Sequence, residues 1–240
     1  SRYSSRILEL LADGALNPLF TQADFDAERA KLIEGLKSDE KSASAISARV
    51  QNVLTYGKEH YNGEFTSEET LKNVTLQDVI NHYNTYFVPS NAYLVVIGDV
   101  KTADVKKKVE ELFGADVWKK ATAPNLTYND PKDLQYSQIN FVDVPNAVQS
   151  EIALINLSKL KMNDKDYFAA ILANQILGGG GEGRLFLNLR EKHGWTYGSY
   201  SNLGASKYVS KFSSTASVRN AVTDSAVVEV FNELKRIRTE

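Results

Sequence analysis

The chain has 240 residues, 42% of them hydrophobic and 24% charged, and carries a formal net charge of −2. That length can bury a substantial core and suggests two domains, while the near-neutral charge removes any electrostatic case for nucleic acid or an anionic membrane as partner. The absence of cysteine excludes disulfides, thiolate metal ligands and a cysteine nucleophile, and leaves cytoplasm and periplasm equally open.

No apolar run reaches the length that spans a bilayer, and residues 1–6 lack the charged and apolar regions of a signal peptide. Ile7, Leu8, Leu10 and Leu11 give a broad apolar face to a first helix over 5–13, which the Gly14 region ends. Thr21 followed by Asp24 has capping-box character and opens a long helix over 23–41, with Phe25, Leu32, Ile33 and Leu36 toward the core. An Ala- and Ser-rich helix covers 45–54, and 56–63 reads as a loop. Two further boxes, Thr66 with Glu69 and Thr75 with Asp78, open short helices, the second running to Tyr86 before Pro89. The apolar run 92–97 fits a buried strand, Gly98 and Asp99 turn the chain, and an amphipathic helix follows over 103–113. Residues 115–135 hold Pro124, Asn125, Asn129, Asp130 and Pro131 with little periodicity and read as a linker.

Beyond the linker, 138–144 alternates as a strand, Pro145 and Asn146 make a turn, and 150–157 forms a second strand. Asp164 caps a helix over 165–177, a glycine-rich turn occupies 178–183, and a helix over 184–193 leads into strands over 196–203 and 208–218. A last helix from Thr223 carries the stripe Ala226, Val227, Val230, Phe231 and Leu234. The abrupt start of the first helix and the end within the last suggest a piece of a longer chain.

Chemistry concentrates at 178–200. With Gly194 in a left-handed cap position, Arg190 at the helix end and Tyr197 at the strand start would converge, placing a forked cation beside a hydroxyl donor. Such a pair suits a peptide carbonyl or a developing oxyanion. Spacing by itself equally admits a helix-end arginine on carbonyls or a surface carboxylate and a strand tyrosine in water, and on spacing by itself this plainer reading is the stronger. His60, His82 and His193 lack the spacing that gathers zinc ligands on one helix face. The glycine run follows a helix, not a strand, and lacks the Lys-Ser or Lys-Thr of a phosphate loop, so its expected role is a close, tight turn.

Six segments, taken in order, carry a resemblance: 27–34, with Glu28-Arg29; 54–61; 66–72; 86–100; 144–152; and 184–197, with Leu189-Arg190-Glu-Lys-His-Gly194-Trp-Thr-Tyr197. Together they resemble the pitrilysin/insulinase family of zinc metallopeptidases, which includes the mitochondrial processing peptidases, over nearly the whole chain. The resemblance implies an α+β fold: two-layer α/β units with an antiparallel-rich sheet and helices packed on one face, paired into a clam-like chamber around an unfolded peptide. It implies that 1–114 is the second half of one unit, 115–135 the linker, and 136–240 the first half of the next, inactive-type unit. The family holds zinc with an inverted His-x-x-Glu-His helix and a distant Glu seven residues after the Glu of its Glu-Arg pair. Counting from Glu28, that position is Gly35, and Glu34 points about a hundred degrees around the helix from it.

The resemblance thus implies no zinc in this chain, with zinc held by a partner half or subunit of a homo- or hetero-oligomer. Arg190 and Tyr197 correspond to the pair with which the family grips a polypeptide's backbone and stabilises the oxyanion while the other half supplies metal-bound hydroxide. An alternative within the same family is a peptidase-like scaffold or peptide-binding module without catalysis.

Overall fold

The computed structural model describes residues 3–240; Ser1 and Arg2, at the head of the 1–6 stretch read above, lie outside the described residues. The chain divides into two compact units. One comprises the chain up to Glu34 together with Ser67–Thr127; the other comprises Gly35–Thr66 together with Tyr128–Glu240. This spatial division is discontinuous and differs from the sequence-order division at 114 and 136.

The first unit is helical. It contains α1 (Ser4–Leu16), most of α2 (Gln22–Asp39), α4 (Glu68–Asn73), α5 (Leu76–Tyr86) and α6 (Thr102–Phe113). Thr21 accepts from the Asp24 amide at 3.1 Å and donates to its carboxylate at 2.6 Å, so the expected cap of α2 forms. The Thr75/Asp78 box of α5 also forms, with both reciprocal bonds present. The box of α4 sits one residue later than expected, with Ser67 as cap and Thr70 in place of Glu69. Thr70 is short enough to reach back to the Ser67 amide, at 2.9 Å. An aromatic chain runs through the unit: Phe20 meets Tyr83 edge-on at 5.4 Å, Tyr83 stacks on Phe87 at 4.9 Å, and Phe87 stacks on Trp118 at 5.3 Å. The Tyr83 hydroxyl donates to the Ala15 carbonyl at 2.6 Å, tying α5 to the end of α1.

The run 92–97 departs from expectation. It has no ladder partners, and Tyr93, Val95 and Ile97 are exposed, Tyr93 and Ile97 almost fully. An apolar β-pattern becomes a strand only where a neighbour offers a ladder, and among the described residues none does. The same holds for 138–144 in the second unit, where Ile139 and Phe141 are exposed.

The second unit holds α3 (Ala43–Tyr56), β1 (Gln149–Ser158), α7 (Tyr167–Gly178), the single turn α8 (Arg184–Phe186), β2 (Thr196–Leu203), β3 (Ser210–Arg219) and α9 (Thr223–Thr239). The strands form an antiparallel sheet in the order β1-β3-β2. Burial alternates along β3: Ser214, Ala216 and Val218 face inward, as period-two geometry requires. Leu177, Leu185, Leu189, Ala226 and Val230 pack on Ala216 and Val218, so α7, α8 and α9 build one core against the sheet. This is the expected α+β arrangement, with an antiparallel sheet and helices on one face. The buried stripe of α9 runs Ala226, Val230, Glu233, while Phe231, assigned to the apolar stripe from sequence, is exposed. A carboxylate takes the place that spacing reserves for an apolar side chain.

No helix among the described residues is long and apolar enough to cross a membrane.

Candidate functional site

The site is assembled where α7 hands over to β2. A Cβ on Gly178 would lie 2.6 Å from the Ser201 nitrogen and 2.8 Å from Leu185 Cδ1, and one on Gly183 would lie 2.8 Å from Gly178 Cα. The turn therefore folds back on itself against β2 at a distance only glycine permits. Leu185 and Leu189, both fully buried, then anchor the next segment to the core.

That segment is not the uniform α-helix that 184–193 suggests. After α8 it widens into a π-helix over Leu187–Lys192. His193 N–H donates five residues back to the Asn188 carbonyl at 3.2 Å, Trp195 N–H to the Leu189 carbonyl at 3.0 Å, and Gly194 N–H to the Arg190 carbonyl at 2.9 Å. Gly194 has φ +62°, the left-handed conformation expected of it, and the back-bonding satisfies carbonyls that a helix end leaves open.

Arg190 lies on this widened turn. Its guanidinium carbon stands 4.7 Å from the centroid of the buried Phe186 ring. Its Nε is 3.7 Å from the Glu191 carboxylate, too far for a hydrogen bond. Phe186 in turn lies 5.8 Å, centroid to centroid, from Tyr200 of β2. Tyr197 is 89% exposed and sits where the β2–β3 register breaks, between the Thr196–Val218 and Ser199–Ala216 pairs. Bulges of this kind re-aim side chains at sheet edges. Among the described residues no hydrogen bond joins Arg190 and Tyr197; both are presented to solvent within one unit, on the two elements that Gly194 connects.

A buried polar cluster lies behind the π turn. Asn188 Nδ2 donates to Glu229 at 2.7 Å and to Glu233 at 2.6 Å, and Arg236 pairs with both Glu233 oxygens at 3.0 and 3.2 Å. The Asn188 amide holds the Glu229 carboxyl below the usual carboxylate range, against the opposing effect of partial burial. Sequence reading found neither Asn188 nor Glu233, because partners 45 residues apart leave no local signal. Phe186 was findable: it precedes Arg190 by four residues, the spacing of neighbours on a helix face.

The residues do not fit a zinc site. Gly35, the counted ligand position, has no side chain and open space around it. His60 is stacked on Tyr56 at 5.1 Å and meets Tyr61 at 4.3 Å, His82 meets Tyr86 at 4.7 Å, and His193 stacks on Trp195 at 4.1 Å. Among the described residues no group of three or more His, Asp or Glu side chains is disposed to hold a metal ion.

Residues 73–240, more than half of the chain, match the family model described as the peptidase M16 inactive domain. The "Uncharacterized zinc protease YmxG" of Bacillus subtilis (strain 168) is 24% identical over 203 residues, spanning 83% of this chain and 47% of that protein. The "Probable inactive metalloprotease YmfF" of the same organism is 23% identical over 177 residues, spanning 73% and 40%. The chain thus spans about half the length, or somewhat less, of the curated relatives it matches. The crystal structure of a peptidase M16 inactive domain from Pseudomonas fluorescens superposes with a TM-score of 0.82 at 21% identity, over 96% of this chain and 55% of that one. At that identity the likeness is one of fold.

Proposed function

The chain belongs to the peptidase M16 inactive-domain family, and on that footing we propose that it is the substrate-holding part of a pitrilysin/insulinase-type zinc peptidase whose metal is carried by another half or subunit. The ligand is an extended, unfolded polypeptide. Arg190 and Tyr197 bind it through backbone carbonyls and donate to the oxygen on which negative charge develops. A planar fork of donors beside a phenol suits that role because both are oriented before charge appears.

One observation supports the reading: Tyr197 is 89% exposed on a register break of β2, in the same unit as an arginine whose side chain makes no hydrogen bond among the described residues. Both side chains keep their donors available to a ligand: the phenol and the guanidinium can each give hydrogen bonds to a backbone carbonyl.

The test is made in the zinc-loaded assembly of the full-length parent with its metal-bearing half. Arg190→Ala and Tyr197→Phe are each expected to lower peptide hydrolysis by about a hundred- to a thousandfold, as removal of one oxyanion donor does elsewhere, with zinc content unchanged. Full activity in both variants contradicts the assignment. A second reading, a peptide-binding module without catalysis, is favoured by Gly35 at the counted ligand position and by the relative named as an inactive metalloprotease. It is the outcome if the assembly binds unfolded polypeptide through Arg190 yet hydrolyses none.

A further inference from the structure

Among the described residues the Arg190 guanidinium meets two groups, the Phe186 ring face at 4.7 Å and the Glu191 carboxylate at 3.7 Å. They are unequal as anchors. Glu191 is itself 56% exposed, and an exposed ion pair longer than a hydrogen bond constrains little. Phe186 is 7% exposed, so its ring is fixed by the surrounding packing. Tyr200 of β2 lies beside it, ring centroids 5.8 Å apart. The ring is thus a fixed plane between β2 and the π-helical turn.

We infer that Phe186 is a positioning residue: its π face holds the Arg190 guanidinium in the orientation that receives the polypeptide backbone. This rests on the substrate-holding reading of Arg190. A cation over an aromatic face is attracted by the ring's negative potential, and the attraction has a preferred direction. A flexible arginine stem otherwise samples many rotamers, and ordering it at the moment of binding weakens the complex. The Phe186 face does that ordering beforehand.

The test removes the ring's negative potential while nearly preserving its shape. Phenylalanines bearing one to five fluorines are placed at position 186 of this 240-residue chain. Two readouts are taken: mobility of the Arg190 Nε–H group by nitrogen-15 relaxation, and affinity for fluorescein-labelled, reduced and carboxymethylated lactalbumin, a permanently unfolded probe. Mobility is expected to rise stepwise with fluorination and affinity to fall about two- to fivefold at full fluorination, the size of one exposed cation–π contact. In the Arg190→Ala background the same fluorination is expected to leave affinity unchanged, because the effect runs through Arg190.

Unchanged mobility or affinity along the series, with Arg190→Ala still weakening binding, overturns the positioning role and leaves the substrate-holding reading intact. An equal loss with and without Arg190 overturns it too, since Phe186 then contacts the probe itself. Arg190→Ala binding as well as the unaltered chain overturns the substrate-holding reading, and the positioning role falls with it.

Discussion

Asn188 does two jobs that no local pattern announces. Its carbonyl closes the π turn by accepting from His193, and its side-chain amide lies between two carboxylates of α9. Glu233 is 2% exposed, and a carboxylate that deep needs donors on all sides. Asn188→Ala removes one while leaving Arg236, so the expected loss is that of a hydrogen bond to a charged group, about 1.5–3 kcal/mol, read from the urea midpoint. A loss below about 0.5 kcal/mol would mean that the cluster is ornamental to stability. Glu229 adds a pH signature. Its folded carboxyl titrates below the usual value because the Asn188 amide favours the charged form. The stabilisation is therefore complete above the unfolded carboxylate range and is lost as pH falls through the lower, folded value. Glu229→Gln abolishes that dependence. The stability difference between the unaltered chain and this variant is expected to shrink as pH falls below the unfolded carboxylate range, and a difference that stays constant through that fall contradicts the linkage.

At the scale of elements, what sequence reveals is what is decided within a few residues. The Thr21/Asp24 and Thr75/Asp78 boxes were legible because a hydroxyl and a short carboxylate three positions on lie within reach of each other and of the first-turn amides. Gly194 was legible because a left-handed turn after an amphipathic helix calls for glycine. The widening of 187–192 into a π-helix was not, since adding one residue to a turn is settled by how Leu185, Leu189 and Asn188 dock on the sheet and α9. The glycine run is intermediate: its composition signals a tight turn but not which glycines are irreplaceable. The structure separates them. A Cβ on Gly178 meets the Ser201 backbone nitrogen at 2.6 Å, whereas one on Gly181 meets nothing nearer than 3.8 Å. Gly178→Ala is therefore expected to force α7 and β2 apart and cost about 1–3 kcal/mol, the range of overpacked sites, while Gly181→Ala stays within about 0.5 kcal/mol. Thermal unfolding of the two variants side by side is the check, and equal midpoints would show that the turn yields.

On the scale of the whole chain, the two units share a property that sequence pattern both revealed and misjudged. The runs 92–97 and 138–144 carry a β pattern, because apolar and β-branched side chains follow one another or alternate, yet neither forms a strand. Whether such a run is paired depends on distant chain, which no window of six residues contains; equally, nothing local places 35–66 in the same unit as the sheet. Tyr93, Val95 and Ile97 in one unit and Ile139 and Phe141 in the other are left facing water. Burying a side chain of this kind stabilises by about 1.5–3 kcal/mol, and an extended segment with free N–H and C=O groups is a template for pairing with another chain. The 240-residue chain is accordingly expected to self-associate at micromolar concentration. Val95→Lys together with Ile139→Lys is expected to shift it toward monomer in sedimentation velocity. Because both side chains lie outside either core, the far-ultraviolet dichroism and the melting midpoint should not move. A variant pair that unfolds would show that these side chains pack in the native state after all. One that stays folded but associates as strongly as before would move the sticky surface elsewhere, to the exposed Ile7, Leu10 and Leu11 of α1.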